Sequence, residues 1–244
     1  MIAITVDLDW APDPVVEDTL ELVETAGVRT TLFATHASAL LATTRAHEVG
    51  IHPNFLPLAF KDCSVELDRL LALYPESKGV RCHSYHQNSR ILDLFVERGL
   101  IYDSNVLMFQ CDHIEPFRHF NGLIRMPVFW EDDVNCVAGR DWIPTMPTVA
   151  DPDAVHIFNF HPVHVFLNTE TLRRYESAKP YYHDPAKLRD FANPESSGTG
   201  TRVFLRRLLA LIQAGRPATT LVEIATSWSN RLVGKRHGDA TECS

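Results

Sequence analysis

Acids and imidazoles stand at the ends of apolar runs along this 244-residue chain. The run Ile2-Ala3-Ile4-Thr5-Val6 leads straight into Asp7-Leu8-Asp9. Strand side chains alternate, so Asp7 and Asp9 are expected to leave the strand on one side. Two acids that close repel unless a cation or a shared proton relieves them. Further β-prone runs end in similar groups: His36, His52, Arg81 with His83, Glu131-Asp132-Asp133, and His161 with His164. Carboxylates and imidazoles are the donor set of a divalent ion and also the usual general acids and bases. The chemistry they suggest is that of a metal-assisted active site. The plain alternative is a strand ending in a turn, with Asp9 or Asp13 capping the next helix and the histidines bonded at a rim.

The elements that must position these groups are legible from periodicity. Residues 15–26 read as an amphipathic helix, with Val16, Leu20, Leu22 and Val23 on one face and Gly27 as its stop. Strands are expected at 29–35, 48–53, 79–83, 100–103, 123–130 and 155–160, with Pro127 making 123–130 an edge strand or a bent one. Helices are expected at 38–46, 64–74, 90–98 and 202–214, and a last one within 219–232. The polar stretch 169–201 reads as an insert, mobile around 196–200, and the tail from Lys235 as frayed. Strand and helix alternate about seven times with no repeat or linker, the pattern of a (β/α) barrel or a doubly wound sheet. A single domain over residues 1–244 is expected, and a barrel would aim every strand-end group at one mouth.

Composition narrows the partners. Twenty-three basic residues against 31 acidic ones give a net charge of -8 without a basic block, which disfavours nucleic acid and anionic membranes. Cys63, Cys82, Cys111, Cys136 and Cys243 are scattered with no C-x-x-C pair, so neither a zinc ribbon nor a disulfide framework is indicated. No apolar run approaches the ~20 residues of a membrane span, and the first residues enter a strand without a leader pattern. A cytoplasmic location is the expectation.

In order, these motifs resemble the polysaccharide deacetylase superfamily, the NodB-homology or carbohydrate esterase 4-like enzymes. More narrowly, they resemble its branch tied to O-antigen and capsule loci. Ile4-Thr-Val-Asp7-Leu-Asp9 stands at the family's strand-one acids, which are adjacent there and separated here by Leu8. Glu48-Val-Gly-Ile-His52 resembles the second motif, Arg81-Cys-His83-Ser84 the third, and Phe158-Asn-Phe-His161-Pro162 the last. The main departure is Leu56, where the family places a second metal-binding histidine.

The resemblance implies a distorted (β/α) barrel of about seven strands and the hydrolysis of an N-acyl group on a carbohydrate. It implies Asp7 as base, His161 as acid, and Arg81 as the clamp on Asp7, paired with Asp132 or Asp133. Asp9 and His52 would bind a divalent ion, zinc by default with manganese, cobalt or nickel as alternatives. Leu56 leaves the third ligand to His83, His36 or His164, of which His83 is favoured. Trp130 would offer a sugar an apolar face, with Asp132, His36 and His164 as further substrate contacts. Two rival readings stand beside this one. A haloacid-dehalogenase-like phosphatase could use Asp7 and Asp9, but its expected Thr or Val is Ala11 here and no strand-end lysine stands out. A degenerate carbohydrate-binding barrel would explain Leu56.

Overall fold

The computed structural model describes residues 1–56, 59–111, 113–144 and 154–238. Its strands are β1 (Ile2–Asp7), β2 (Thr31–Ala34), β3 (Glu48–Ile51), β4 (Gly79–Val80), β5 (Tyr102–Asp103), β6 (Phe117–Arg118), β7 (Ile124–Arg125), β8 (Trp130–Glu131) and β9 (His156–Phe160). The main helices are α1 (Asp13–Thr25), α2 (Ala39–Thr43), α3 (Phe60–Leu73), α4 (Ser89–Glu97), α5 (Asp132–Val137), α6 (Pro162–Leu167), α7 (Leu172–Ala178), α8 (Pro185–Arg189), α9 (Thr201–Gln213) and α10 (Leu221–Gly238).

All the strands but β6 run parallel in one sheet of order β6-β7-β5-β4-β3-β2-β1-β9-β8. Its two ends are one stretch of chain. Residues 124–131 pair with β5 at their start and with β9 at their end, and Pro127 sits where the stretch passes from one neighbour to the other. Bonds from Met126 N to Asp103 O, from Val128 N to Val106 O and from Phe129 N to Ile157 O carry the transfer. The proline therefore marks a bend that closes the ring, not an edge. Counting this stretch once and setting aside the short β6 gives the seven strands of a distorted (β/α) barrel.

Side chains inside and outside the ring do different work. Outward residues such as Ile4, Val6, Phe158 and Phe160 pack under α1, α6 and α9, where Trp130 stacks on Phe204 with 3.9 Å between ring centroids. At about 25 cal/mol per Å² of apolar surface, this outer layer is the main source of stability. The lower interior is apolar too: Ala3, Phe33, Tyr102, Met126, Val128 and Ile157, closed by Leu221, Ile224 and Ala225 of α10. Gly79 permits the tightest approach there, since a Cβ on it would lie 1.9 Å from the Tyr102 ring. Above this floor the interior turns polar, and above that the barrel opens.

Some expectations change. The fourth strand stops at Val80, and His83 opens a 3-10 turn, His83–Tyr85. The insert 169–201 is folded: it carries α7 and α8, buries Ala178 and Leu188 completely, and ties Ser197 and Thr199 to Asn193. Its Leu172, Tyr175, Ala178, Leu188 and Phe191 supply an apolar set that the polar composition hides. The last helix extends to Gly238 through part of the expected frayed tail, while residues 239–244, with Cys243, lie outside the described residues.

Candidate active site

Strand alternation builds the site in layers. Thr5, Asn159 and Glu131 stand side by side on β1, β9 and β8 and face inward in register. Thr5 Oγ1 donates to Asn159 Oδ1 at 2.8 Å, and Asn159 Nδ2 donates to Glu131 Oε1 at 3.2 Å. Arg81, fully buried, fills the centre of the barrel above the floor. Its Nη1 donates to Asp7 Oδ1 at 3.0 Å, to Thr5 Oγ1 at 2.8 Å and to Asn159 Oδ1 at 2.5 Å. Nε and Nη2 donate to the Ser104 carbonyl and hydroxyl, and the guanidinium lies 4.5 Å from the Phe33 ring centroid. The Asp7 carboxylate is thus fixed on both oxygens, since Asn159 Nδ2 also donates to Oδ2 at 2.9 Å. Arg81 bonds Asp7, and its other partners are Thr5, Asn159 and Ser104, not Asp132 or Asp133.

Asp9 reaches the same cavity by a different route from the one alternation suggests. β1 ends at Asp7, Leu8 is buried, and Asp9 and Trp10 both adopt positive φ (43° and 60°). Ala11 N bonds back to Leu8 O at 2.8 Å, closing a tight turn whose two central residues are left-handed, as in a type I′ turn. The turn aims Asp9 at two histidines. Its Oδ1 lies 3.1 Å from His52 Nε2 and 3.2 Å from His83 Nδ1. Burial alone would raise the Asp9 carboxyl, but His52, His83 and the charge on His161 outweigh it and hold it below the usual carboxylate range. The bond to Asp9 in turn raises the His83 imidazole. Tyr182, from the folded insert, donates its hydroxyl to the Asp9 carbonyl at 2.7 Å and braces the turn from above.

The other wall belongs to His161. Asp132 accepts from its backbone N–H at 2.9 Å and pairs with Nδ1 at 2.7 Å, leaving Nε2 toward the cavity. Burial disfavours a charged His161, but Asp132, aided by Asp9 and Asp133, overrides it and raises the imidazole well above its usual value. His164 stacks edge-on against His161 and bonds Thr169 Oγ1 at 3.1 Å, and its burial lowers it.

Asp7, Asp9, His52, His83, Glu131 and His161 line one cavity of about 290 Å³. Three acid–imidazole clusters stand close enough to share a cation among the described residues: Asp9 with His52 and His83, Asp7 with Glu131 and His161, and Asp132 with His161 and His164. Their hydrogen bonds separate them. Asp7 and Glu131 are each engaged on both oxygens by donors, and Asp132 already holds His161. His52 differs: it is 2 % exposed, and neither ring nitrogen makes a hydrogen bond of good geometry, its Nε2 facing Asp9 Oδ1 at 3.1 Å and its Nδ1 lying 3.9 Å from Asp7 Oδ1. An imidazole buried without a well-formed hydrogen bond costs free energy unless something fills the place. One carboxylate and two imidazoles suit a divalent transition metal, so Asp9, His52 and His83 fit the ion.

The remaining expected contacts move. Trp130 is 1 % exposed and packs in the outer core, so it gives a sugar no face. The same alternation that turns Glu131 inward turns Trp130 outward. Asp132 and His164 are buried behind His161 and do not line the cavity. His36, half-buried at the end of β2, bonds Thr35 and has Asp13, Arg69 and His183 as charged neighbours, apart from the cluster. Glu131, Asn159 and Thr5 went unassigned in the sequence. Their signal was present, as polar residues at the inward positions of apolar strands.

Glu131 carries a testable charge effect. Burial first, then Asp133 and Asp7, raise its carboxyl to about 8, with Tyr85 Oη 2.7 Å from Oε2. A raised folded value means its contribution to stability is intact below the unfolded value near 4.5 and is lost as pH climbs toward 8. In the metal-free protein, Glu131→Gln is expected to flatten that decline. It should stabilise by on the order of 1 kcal/mol or more near pH 8 and by nothing near pH 4. Equal slopes of stability with pH for the two proteins would rule this out.

Comparison with known proteins decides the family. A model described as WbmS-like polysaccharide deacetylase matches residues 4–179. The chain belongs to this family. The solved WbmS structure from Bordetella bronchiseptica, assigned as a polysaccharide deacetylase involved in O-antigen biosynthesis, is 39 % identical, with a TM-score of 0.78 over 86 % of this chain and 90 % of that one. A Mycobacterium smegmatis protein assigned as a polysaccharide deacetylase shares the fold at 15 % identity, with a TM-score of 0.59 over 94 % of this chain and 90 % of that one. Peptidoglycan deacetylase PdaC of Bacillus subtilis shares it at 11 %, with a TM-score of 0.52 over 98 % and 96 %. No curated protein sequence matches the chain significantly. Among the described residues, no helix is long and apolar enough to cross a membrane.

Proposed function

We propose that this WbmS-like chain is a metal-dependent amidohydrolase that removes an N-acyl group, acetyl or formyl, from a carbohydrate. The substrate would be a sugar, sugar nucleotide or lipid-linked sugar on the way to surface polysaccharide, handled in the cytoplasm. The observation that carries the reading is the convergence of Asp9 with His52 and His83, whose nitrogens lie 3.1 and 3.2 Å from Asp9 Oδ1, on a cavity that also presents Asp7 and His161. Asp9, His52 and His83 would hold the ion, zinc by default. When bound, it would polarise the acyl carbonyl and acidify water.

The chain's own groups supply the rest. Asp7, held by Arg81 and Asn159, takes the proton of the attacking water. Fixing both carboxylate oxygens keeps that base aimed. His161, raised by Asp132, carries the proton that the departing amine needs and presents it at Nε2. Tyr85 and Asn159 keep Glu131 between them, so a third acid can sit beside Asp7 without a bare charge. Neither rival is favoured: the phosphatase reading does not use His161 on Asp132, and a degenerate barrel has no use for two imidazoles converging on Asp9 at the mouth.

The test is amine release from N-acetyl and N-formyl hexosamines, free and nucleotide-linked, by zinc-loaded protein. Wild type should release amine, and Asp7→Asn should lower kcat by about 10³-fold, the usual scale for a lost general base. A loaded wild type that releases no amine from any of them would remove the proposal.

A further inference from the structure

We propose that Trp10 is the platform on which the sugar ring of the substrate stacks, a subsite that rests on the hydrolase reading above. A site for an N-acyl sugar needs an aromatic or apolar face beside its polar groups. Trp130, which looked suited to that work, is buried at 1 %, and Trp142 at 6 %. Trp10 is 39 % exposed. It follows Asp9 directly, and its indole meets the His83 ring edge-on with 5.3 Å between centroids. His83 lines the cavity and Trp10 does not, so Trp10 flanks the opening one ring away.

The backbone adds a second, independent observation. Trp10 has φ 60°, held there by its N–H on Thr35 Oγ1 at 3.0 Å and by the Leu8–Ala11 turn. A bulky residue is rare in that conformation, where Gly or Asn fits more cheaply. The indole belongs to none of the hydrophobic core clusters, and 39 % of the residue faces water. A strained backbone carrying an exposed aromatic beside reactive groups points to a ligand as the beneficiary. The flat faces of pyranose rings present C–H groups that lie well on an indole, and the N-acyl arm could then reach down toward Asp7 and His161.

Trp10→Asn tests this, since Asn tolerates the left-handed turn and removes the ring, while Trp10→Phe keeps an aromatic face. Zinc-loaded proteins would be titrated with N-acetylglucosamine and N-acetylgalactosamine, free and as uridine diphosphate conjugates, following tryptophan fluorescence, amine release and metal content. Wild type should show a fluorescence change that Trp10→Asn lacks. Affinity should fall about tenfold in Trp10→Asn, with the loss carried by KM, and no more than about threefold in Trp10→Phe. If wild type hydrolyses a probe and Trp10→Asn binds it equally well, the subsite is wrong and the hydrolase reading survives. If loaded wild type neither binds nor cleaves any probe, both fall together.

Discussion

Purified wild-type protein, stripped and reloaded, should retain about one zinc per chain, and His52→Ala should retain none after dialysis. A lost ligand of three costs more than the roughly 10- to 100-fold typical of second-shell changes. The expectation rests on the contrast among the three clusters. Among the described residues the Asp9 carboxylate faces only imidazoles, with Oδ1 between His52 and His83, and His52 makes no hydrogen bond of good geometry. His83→Ala should lose the ion as well, because its Nδ1 sits as close to Asp9 as His52 does, at 3.2 Å against 3.1 Å. Uptake should also depend on pH in a defined direction. Asp9 raises the His83 imidazole in the metal-free protein, so below that raised value a proton competes with the cation. Binding should therefore tighten as pH rises through it and then level off, with proton release measurable by calorimetry in buffers of different ionisation enthalpy. If His52→Ala keeps its zinc at wild-type affinity, the assignment of the cluster is wrong. If only His83→Ala keeps it, His161 becomes the third ligand to test, since its Nε2 is 3.7 Å from Asp9 Oδ2.

Much of this site could be read from the chain because its chemistry sits where periodic apolar runs stop. Asp7, His52 and His161 each follow a strand of β-prone residues, and a closed barrel has only one mouth to send them to. The histidine that stands beside Asp9 and His52 was visible two residues past Arg81, but its placement depends on the 3-10 turn after β4, with Ser84 and Tyr85 left-handed. Such turns leave no periodic trace. Trp130 was misread because aromatic type was weighed above alternation. A strand that faces Glu131 inward must face Trp130 outward. The partners of Arg81 were hidden for another reason. Thr5, Ser104 and Asn159 are separated from it by 76, 23 and 78 residues, and only closure of the ring brings them to one guanidinium. The insert 169–201 was misjudged from polar composition, whereas Ala178 and Leu188 anchor it and Tyr182 reaches Asp9.

Arg81→Met is expected to lower stability by about 3–5 kcal/mol, the scale for breaking a buried pair from one side. For a domain of this size that is roughly 6–20 °C in Tm. The side chain is fully buried, and its loss would take the guanidinium donor from Asp7 Oδ1 and from the carbonyl of Ser104 and leave Asn159 Oδ1 with Thr5 alone. Arg81→Lys should rescue little, because one ammonium cannot serve Ser104 and Asp7 from opposite edges of a planar group. Removing the charge on the other side separates the causes. In Arg81→Met with Asp7→Asn, no uncompensated charge remains, so the double variant should melt above Arg81→Met alone while staying inactive for want of a base. The coupling between the two sites in such a cycle should be 1–3 kcal/mol, as for contacting residues in one network. Melting of Arg81→Met within about 2 °C of wild type would mean that the interior hydrates or rearranges, and that Asp7 owes its position to Asn159. Reduced activity with full stability would then show that the clamp serves the aim of the base more than the standing of the barrel.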